Sequence, residues 1–254
     1  MDIQLLILVL LFVVTGAIIK GLAGFGFGIL GTALLMNFVD PSIAITVMIL
    51  PMLAVNIPLI LEAEFPALKS CVKNFKFFLL TGLIGSVIGV LLVDFLPVNL
   101  LAVLVGFLAV FYVYIKQDLV YKPEAHVSKT FTEKWQSQTV IGLFSGTVFG
   151  ASNIGLMFVS YLDRLEVDRK TFVGLLSLLI FLATVLRASL SLGTGLYTLE
   201  LLVISLLASV VGVAVAEVSA KISHKLSEKY LKYLTLVLIL VSGLRILWNN
   251  IVSF

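Results

Sequence analysis

IQLLILVLLFVVTGAIIKGLAGFGFGILGTALLMNFV, residues 3 to 39, decides the fold class. It is one apolar run, too long for a single straight crossing of a hydrocarbon core, which takes about 20 helical residues at about 1.5 Å each. Gly21, Gly24, Gly26 and Gly28 interrupt it. Glycine weakens a helix and bares backbone that must find partners inside the protein, so the run predicts a broken helix within a membrane. A second run, residues 139 to 162, is interrupted in the same way by Gly146, Gly150, Ser152, Asn153 and Gly155.

Simple spans read outward from these two are 43 to 61, 77 to 93, 99 to 115, 171 to 190, 199 to 219 and 233 to 250. Composition agrees: 61% of the 254 residues are hydrophobic and 12% charged, with a mean hydropathy of +1.19, where a soluble domain is about half apolar and about a quarter charged. Polar residues stand between long apolar runs and do not alternate along surface helices, so the solvent for most of the surface is the lipid bilayer. Met1 and Asp2 are followed by no basic leader or small-residue cleavage site, and the first segment reads as a retained membrane segment. Cys71, the single cysteine, reads as an inert connector residue that excludes an internal disulfide and cysteine-based metal clusters. The formal charge of +3 sits largely on loop lysines, which orient a membrane protein and do not point to nucleic acid.

Short loops rich in Lys and Arg mark the cytoplasmic side. Lys69, Lys73 and Lys76, then Lys122, Lys129 and Lys134, place their connectors inside, and the lysine-free connectors at Asp40 and Asp94 fall outside. In the second half, Arg164, Arg169 and Lys170, and Lys221, Lys225, Lys229 and Lys232, also ask to be inside. Both halves agree if residues 139 to 162 enter the membrane and return as a re-entrant hairpin. A shift of 126 sets Gly16 on Gly142, Gly24 on Gly150 and Asp40 on Glu166, and Ser86 to Val90 resembles Ser209 to Val213. The expectation is an all-α polytopic membrane helix bundle of two duplicated, inverted repeats with broken or re-entrant helices, its substrate site at the repeat interface. The divisions are a first repeat at 1–120, a polar cytoplasmic linker at 121–137 and a second repeat at 138–254. A parallel duplication, with the second half's basic residues outside, is the rival.

After each break a short helix starts with free backbone N–H groups and the positive end of its dipole, so an anion can supply the missing acceptors. Gly24, Gly26 and Gly28 make the first break and Gly150, Ser152 and Asn153 the second, the last two being good N-cap residues with donors to offer. The alternative for the glycines is close helix packing. Lys20, before the first break, either meets an anionic substrate or snorkels to the interface. Arg187 faces the same choice, with snorkelling favoured, and Arg245 beside Trp248 reads as an interfacial anchor. Asn56, between Pro51 and Pro58, serves either substrate or freed backbone carbonyls. No Asp or Glu sits deep in a span, so coupling to a proton or sodium stays open, with Glu217 the least exposed candidate.

A serine protease would need a base beside Ser152, and the only histidines, His126 and His224, lie in polar connectors. No His-Glu-x-x-His pattern, cofactor motif or acidic filter ring is present, which leaves a small-solute transporter ahead of an enzyme, with a passive channel or facilitator as the alternative. Gly21 to Gly28, Gly150-Ala151-Ser152 with the apolar stretch to Tyr161-Leu162, and Asp168 to Gly174 together resemble the sulfite exporter TauE/SafE family over nearly the whole chain. The chain departs from the family pattern at Ile29 to Ala33, where a proline is common, and at Asn153-Ile154, where Gly-Pro is common. The resemblance implies no cofactor and outward movement of sulfite, a sulfonate or a related anion across a prokaryotic inner membrane. The residues alone support a small anion, another carboxylate included.

Overall fold

The computed structural model describes residues 2–93, 95–116, 134–162, 168–193, 195–222 and 228–251. Among these residues the regular structure is entirely helical: α1 (Ile3–Ala23), α2 (Phe27–Leu35), α3 (Pro41–Val47), α4 (Ile49–Leu61), α5 (Phe65–Asn74), α6 (Lys76–Val93), α7 (Val98–Lys116), α8 (Trp135–Ser152), α9 (Leu156–Leu162), α10 (Arg169–Gly193), α11 (Leu199–Ile222) and α12 (Glu228–Ile251). Six stretches are long and apolar enough to cross a membrane: Ile3–Ala23, Pro41–Leu61, Lys76–Val93, Lys170–Gly193, Leu199–Ile222 and Tyr233–Asn250, with Asn99–Tyr114 a shorter apolar helix. The chain is an all-helical, multi-pass membrane bundle. His126, His224, Asp94, Glu166, Arg164, Lys225 and most of the expected linker lie outside the described residues.

Local chemistry sets the helix starts. The Asp2 carboxylate accepts from the N–H groups of Gln4 and Leu5 to cap α1, and Asp40 accepts from Ser42 to cap α3, with Pro41 in the first turn. The stretch expected as one span at 43 to 61 breaks at Met48 into α3 and α4. Pro51 explains the break, because it lacks an N–H and its ring crowds the Val47 carbonyl four residues back. That carbonyl instead accepts from the Ser205 hydroxyl at 3.0 Å, and the Thr46 carbonyl accepts from the Tyr197 hydroxyl at 2.6 Å. The expected connector around Cys71 is α5, an amphipathic helix that turns Leu68 and Cys71 inward and leaves Lys69 and Lys73 exposed.

Both broken segments double back. Gly16 lies against Phe27 while Gly31 lies near Phe12, so α2 runs antiparallel to α1, and the Phe12 and Phe38 rings stack at 5.4 Å. In the second segment α8 runs parallel to α6, with Gly142, Gly146 and Gly150 set against the carbonyls of Phe78, Gly82 and Ser86. Then α9 returns, placing Phe158 beside Phe78 at 5.9 Å and Tyr161 beside Phe75 at 6.4 Å. In a bilayer such small-residue seams replace the hydrophobic effect as the force between helices, because lipid tails are as apolar as the side chains they would displace.

The hairpins open at opposite ends of the bundle. The first opens where the Asp2 N–H meets the Glu200 carboxylate at the start of α11, an end that also carries Asp40. The second opens where α5 leads into α6, the end carrying Lys69, Lys73 and Lys76. Gly174 packs on Ala63 and Gly21 packs on Ala216 and Ser219, which sets the start of α10 and the end of α11, with Lys170 and Lys221, at that lysine-rich end. Each hairpin is gripped by a helix of the other half: α1 by α11, and α8 by α6. Antiparallel α4 and α10 join the halves at the centre, where Asn56 sits level with Ser177 and Ala63 with Gly174.

With Cys71→Ser as background, Lys73→Cys and Lys221→Cys are expected to stay protected from an impermeant maleimide added outside cells, and Glu200→Cys to react. External labelling of Lys221→Cys but not Lys73→Cys would contradict their shared end.

Candidate functional site

The two hairpin tips meet inside the bundle. At the first, Gly24 (φ +83°) caps α1 by donating its N–H to the Lys20 carbonyl at 2.7 Å, and Gly26 (φ +99°) precedes α2. Both left-handed backbones are open to glycine at little cost. At the second tip the left-handed residue is Asn153 (φ +64°), which caps α8 through its N–H to the Phe149 carbonyl. Gly28 touches the other tip: a Cβ there would run into the Asn153 carbonyl and the Met52 methyl.

A cleft with about 330 Å³ of empty space, its mouth included, lies at this junction. Lys20, Gly26, Gly28, Asn56 and Asn153 line it, and Phe25, Met52, Phe149, Val159 and Ile180 form apolar walls. The first-turn N–H groups of α2 have no carbonyl within their own helix, and Gly26 supplies no side-chain cap.

Lys20 does not snorkel. It is 1% exposed, and its Nζ donates to Asn56 Oδ1 at 2.7 Å and Ser177 Oγ at 3.3 Å. Among the described residues no carboxylate pairs with it or lines the cleft. Asn56 lines the cleft, accepts from Lys20 and donates from its amide group to the Met52 carbonyl, which neither proline frees. Ser177 was not singled out in the sequence; its signal is a lone hydroxyl within Leu175-Leu176-Ser177-Leu178-Leu179.

Other expected residues take different roles. Ser152 and Asn153 end α8 and do not N-cap α9. The Ser152 hydroxyl donates to the Val148 carbonyl and accepts from the Ile154 N–H, and the Asn153 amide donates to the Ile45 carbonyl at 2.9 Å, so these donors are engaged by the protein. Gly150 is a packing position against Ser86 on α6, and Gly24 packs on Val173; neither lines the cleft. Arg187, expected to snorkel, is 3% exposed and points inward, donating from Nη1 to the Phe149 carbonyl at 2.9 Å and to Asn153 Oδ1. Glu217 is exposed, away from the cleft. Arg245, exposed as expected, lies over the Phe38 ring at 4.8 Å. Among the described residues no group of three or more His, Cys, Asp or Glu is placed to hold a metal.

A family model described as Sulfite exporter TauE/SafE matches residues 8–246, which takes in both hairpins, the cleft and every helix that shapes it. The chain belongs to the sulfite exporter TauE/SafE family. Membership in TauE/SafE implies membrane transport of sulfur-containing anions such as sulfite. No curated protein and no solved structure matches the chain.

The two glycines should part company on substitution. Gly150→Ala drives a methyl into the Ser86 carbonyl and should cost about 1–3 kcal/mol of stability in detergent while leaving sulfite affinity unchanged. Gly28→Ala should weaken sulfite binding about tenfold, equivalent to about 1.4 kcal/mol, because it pushes the tips apart. Calorimetric binding and thermal unfolding of both variants check this, and the reverse pattern would move the site to Gly150.

Proposed function

We propose that this TauE/SafE protein is a secondary transporter that exports a small anion, sulfite, a sulfonate or a related organosulfur anion, across a prokaryotic inner membrane. The observation that carries the reading is Lys20: a buried lysine Nζ whose acceptors among the described residues are neutral, in a cleft that also receives the N-terminus of α2. A buried charge is costly unless paired, and a charge within a membrane protein ordinarily marks a substrate or ion path. An anion in the cleft meets the ammonium and the α2 N–H groups together, whereas a cation meets repulsion from both. The aromatic and aliphatic walls suit the short carbon portion of a sulfonate.

The arrangement of helices supports inverted repeats. If α1 and α2 correspond to α8 and α9, α4 to α10, α6 to α11 and α7 to α12, the main packing partners exchange with one another: α1 with α11 against α8 with α6, and α4 with α11 against α10 with α6. Hairpins opening at opposite ends fit inversion and disfavour the parallel rival. The lysine-rich end is then cytoplasmic, and alternating access moves the halves about the junction that holds the cleft.

Purified protein in liposomes should take up radiolabelled sulfite or a sulfonate and refuse metal cations and amino acids. Imposing a proton or a sodium gradient on the same liposomes assigns the coupling ion. Lys20→Met should weaken sulfite binding by about tenfold or more, the usual penalty for losing one member of a buried charge contact. Wild-type affinity in folded Lys20→Met protein, or stabilisation by cations alone, would remove the basis of the reading.

A further inference from the structure

A second buried cation stands behind the cleft. Arg187 and Ser177 lie ten positions apart on α10, about 15 Å along the helix. Ser177 touches Lys20, toward the lysine-rich end, and Arg187 lies toward the end where α10 turns into α11. Between the two stands Asn153, which lines the cleft and accepts from Arg187.

Only one edge of the guanidinium is engaged. Both of its hydrogen bonds leave from Nη1, to Phe149 and Asn153 at the C-terminal end of α8. Nε is buried without a partner, and Nη2 makes no hydrogen bond among the described residues. Among the described residues no carboxylate is bonded to Arg187. Capping α8 accounts for Nη1 and leaves the Nε–Nη2 edge unexplained. That edge carries two parallel N–H donors, the fork that matches two oxygens of one oxyanion.

We propose that Arg187 is a second oxyanion-binding station, taking the same class of sulfur oxyanion as the Lys20 cleft once the Asn153 tip has moved aside. The inference rests on the Lys20 reading for its ligand class. Two buried cations, each without a carboxylate among the described residues and separated by one hairpin tip, form successive steps from the lysine-rich end to the opposite one. Asn153 is the partition between them, held in place by the Nη1 bond that the anion's arrival disturbs.

The test uses sulfite as the probe on full-length protein. Arg187→Gln should lower sulfite exchange in liposomes by about tenfold or more, as expected for a lost charge-assisted contact. Arg187→Lys, which keeps the charge and loses the fork, should recover part of the exchange. In wild-type protein with isotope-labelled arginine, the Nε–H resonance that disappears in Arg187→Lys should shift on adding sulfite. Wild-type exchange by Arg187→Gln overturns the proposal. So does an unmoved Nε–H signal, or loss of binding, exchange and melting temperature together in both variants, which would make Arg187 a structural cap. Failure of the Lys20 reading is distinguishable: Lys20→Met would then bind sulfite like wild type, whatever Arg187 does.

Discussion

A helix that stops inside hydrocarbon leaves peptide groups that water cannot reach, and the bundle treats its two kinds of end differently. The carbonyl ends are closed by side chains from across the bundle. Arg187 covers Phe149, Ser205 covers Val47, Tyr197 covers Thr46, and the Asn153 amide covers Ile45. The N–H end of α2 receives no side-chain cap and faces the cleft. Carbonyls are satisfied internally while the α2 donors have no side-chain cap. On the proposed function, anion preference follows from how the breaks are capped, with open donors beside Lys20 favouring negative charge.

The scaffold that holds this asymmetry is made of close backbone contact. Gly82, Gly85 and Gly89 on α6 and Gly142, Gly146 and Gly150 on α8 bring the two helices near enough that an added methyl at five of these positions would strike a carbonyl of the partner. Such a seam is rigid in register, because a shift by one residue puts a side chain where a carbonyl stands. The second hairpin therefore sits on a fixed rail. Its buried tip adds polar contacts to the apolar packing of Ile154: Asn153 with Arg187, Thr32 and Ile45, and Gly28 with the Asn153 carbonyl.

The membrane class, the two breaks and their pairing could be read from residues 3 to 39 and 139 to 162, because glycine clusters inside apolar runs have few physical explanations. Lys20 and Asn56 were visible as polar residues in apolar surroundings, although their direct bond was not, since no spacing rule links residues 36 apart on different helices. Arg187 was misread for a related reason: its position along α10 permitted snorkelling, and only the placement of the α8 tip shows what draws it inward. Ser152 and Asn153 looked like N-caps because Ser and Asn favour both helix starts and left-handed turns; φ +64° at Asn153 decides for the turn. Gly150 could not be told from Gly26 by type alone, since packing glycine and site glycine are the same residue until the neighbouring helix is known.

The exchange of partners between halves bears on how the molecule is built in the cell. Gly21 on α1 has its contact surface at Ala216 to Ala220, almost two hundred positions later in the chain. The first hairpin is synthesised well before α11, the helix that shields its inner flank. Until then the Gly21 flank must border lipid, an insertion partner or a provisional neighbour. The Gly21 flank is covered only when α11 arrives, so the order of translation makes a late helix the one that completes an early hairpin.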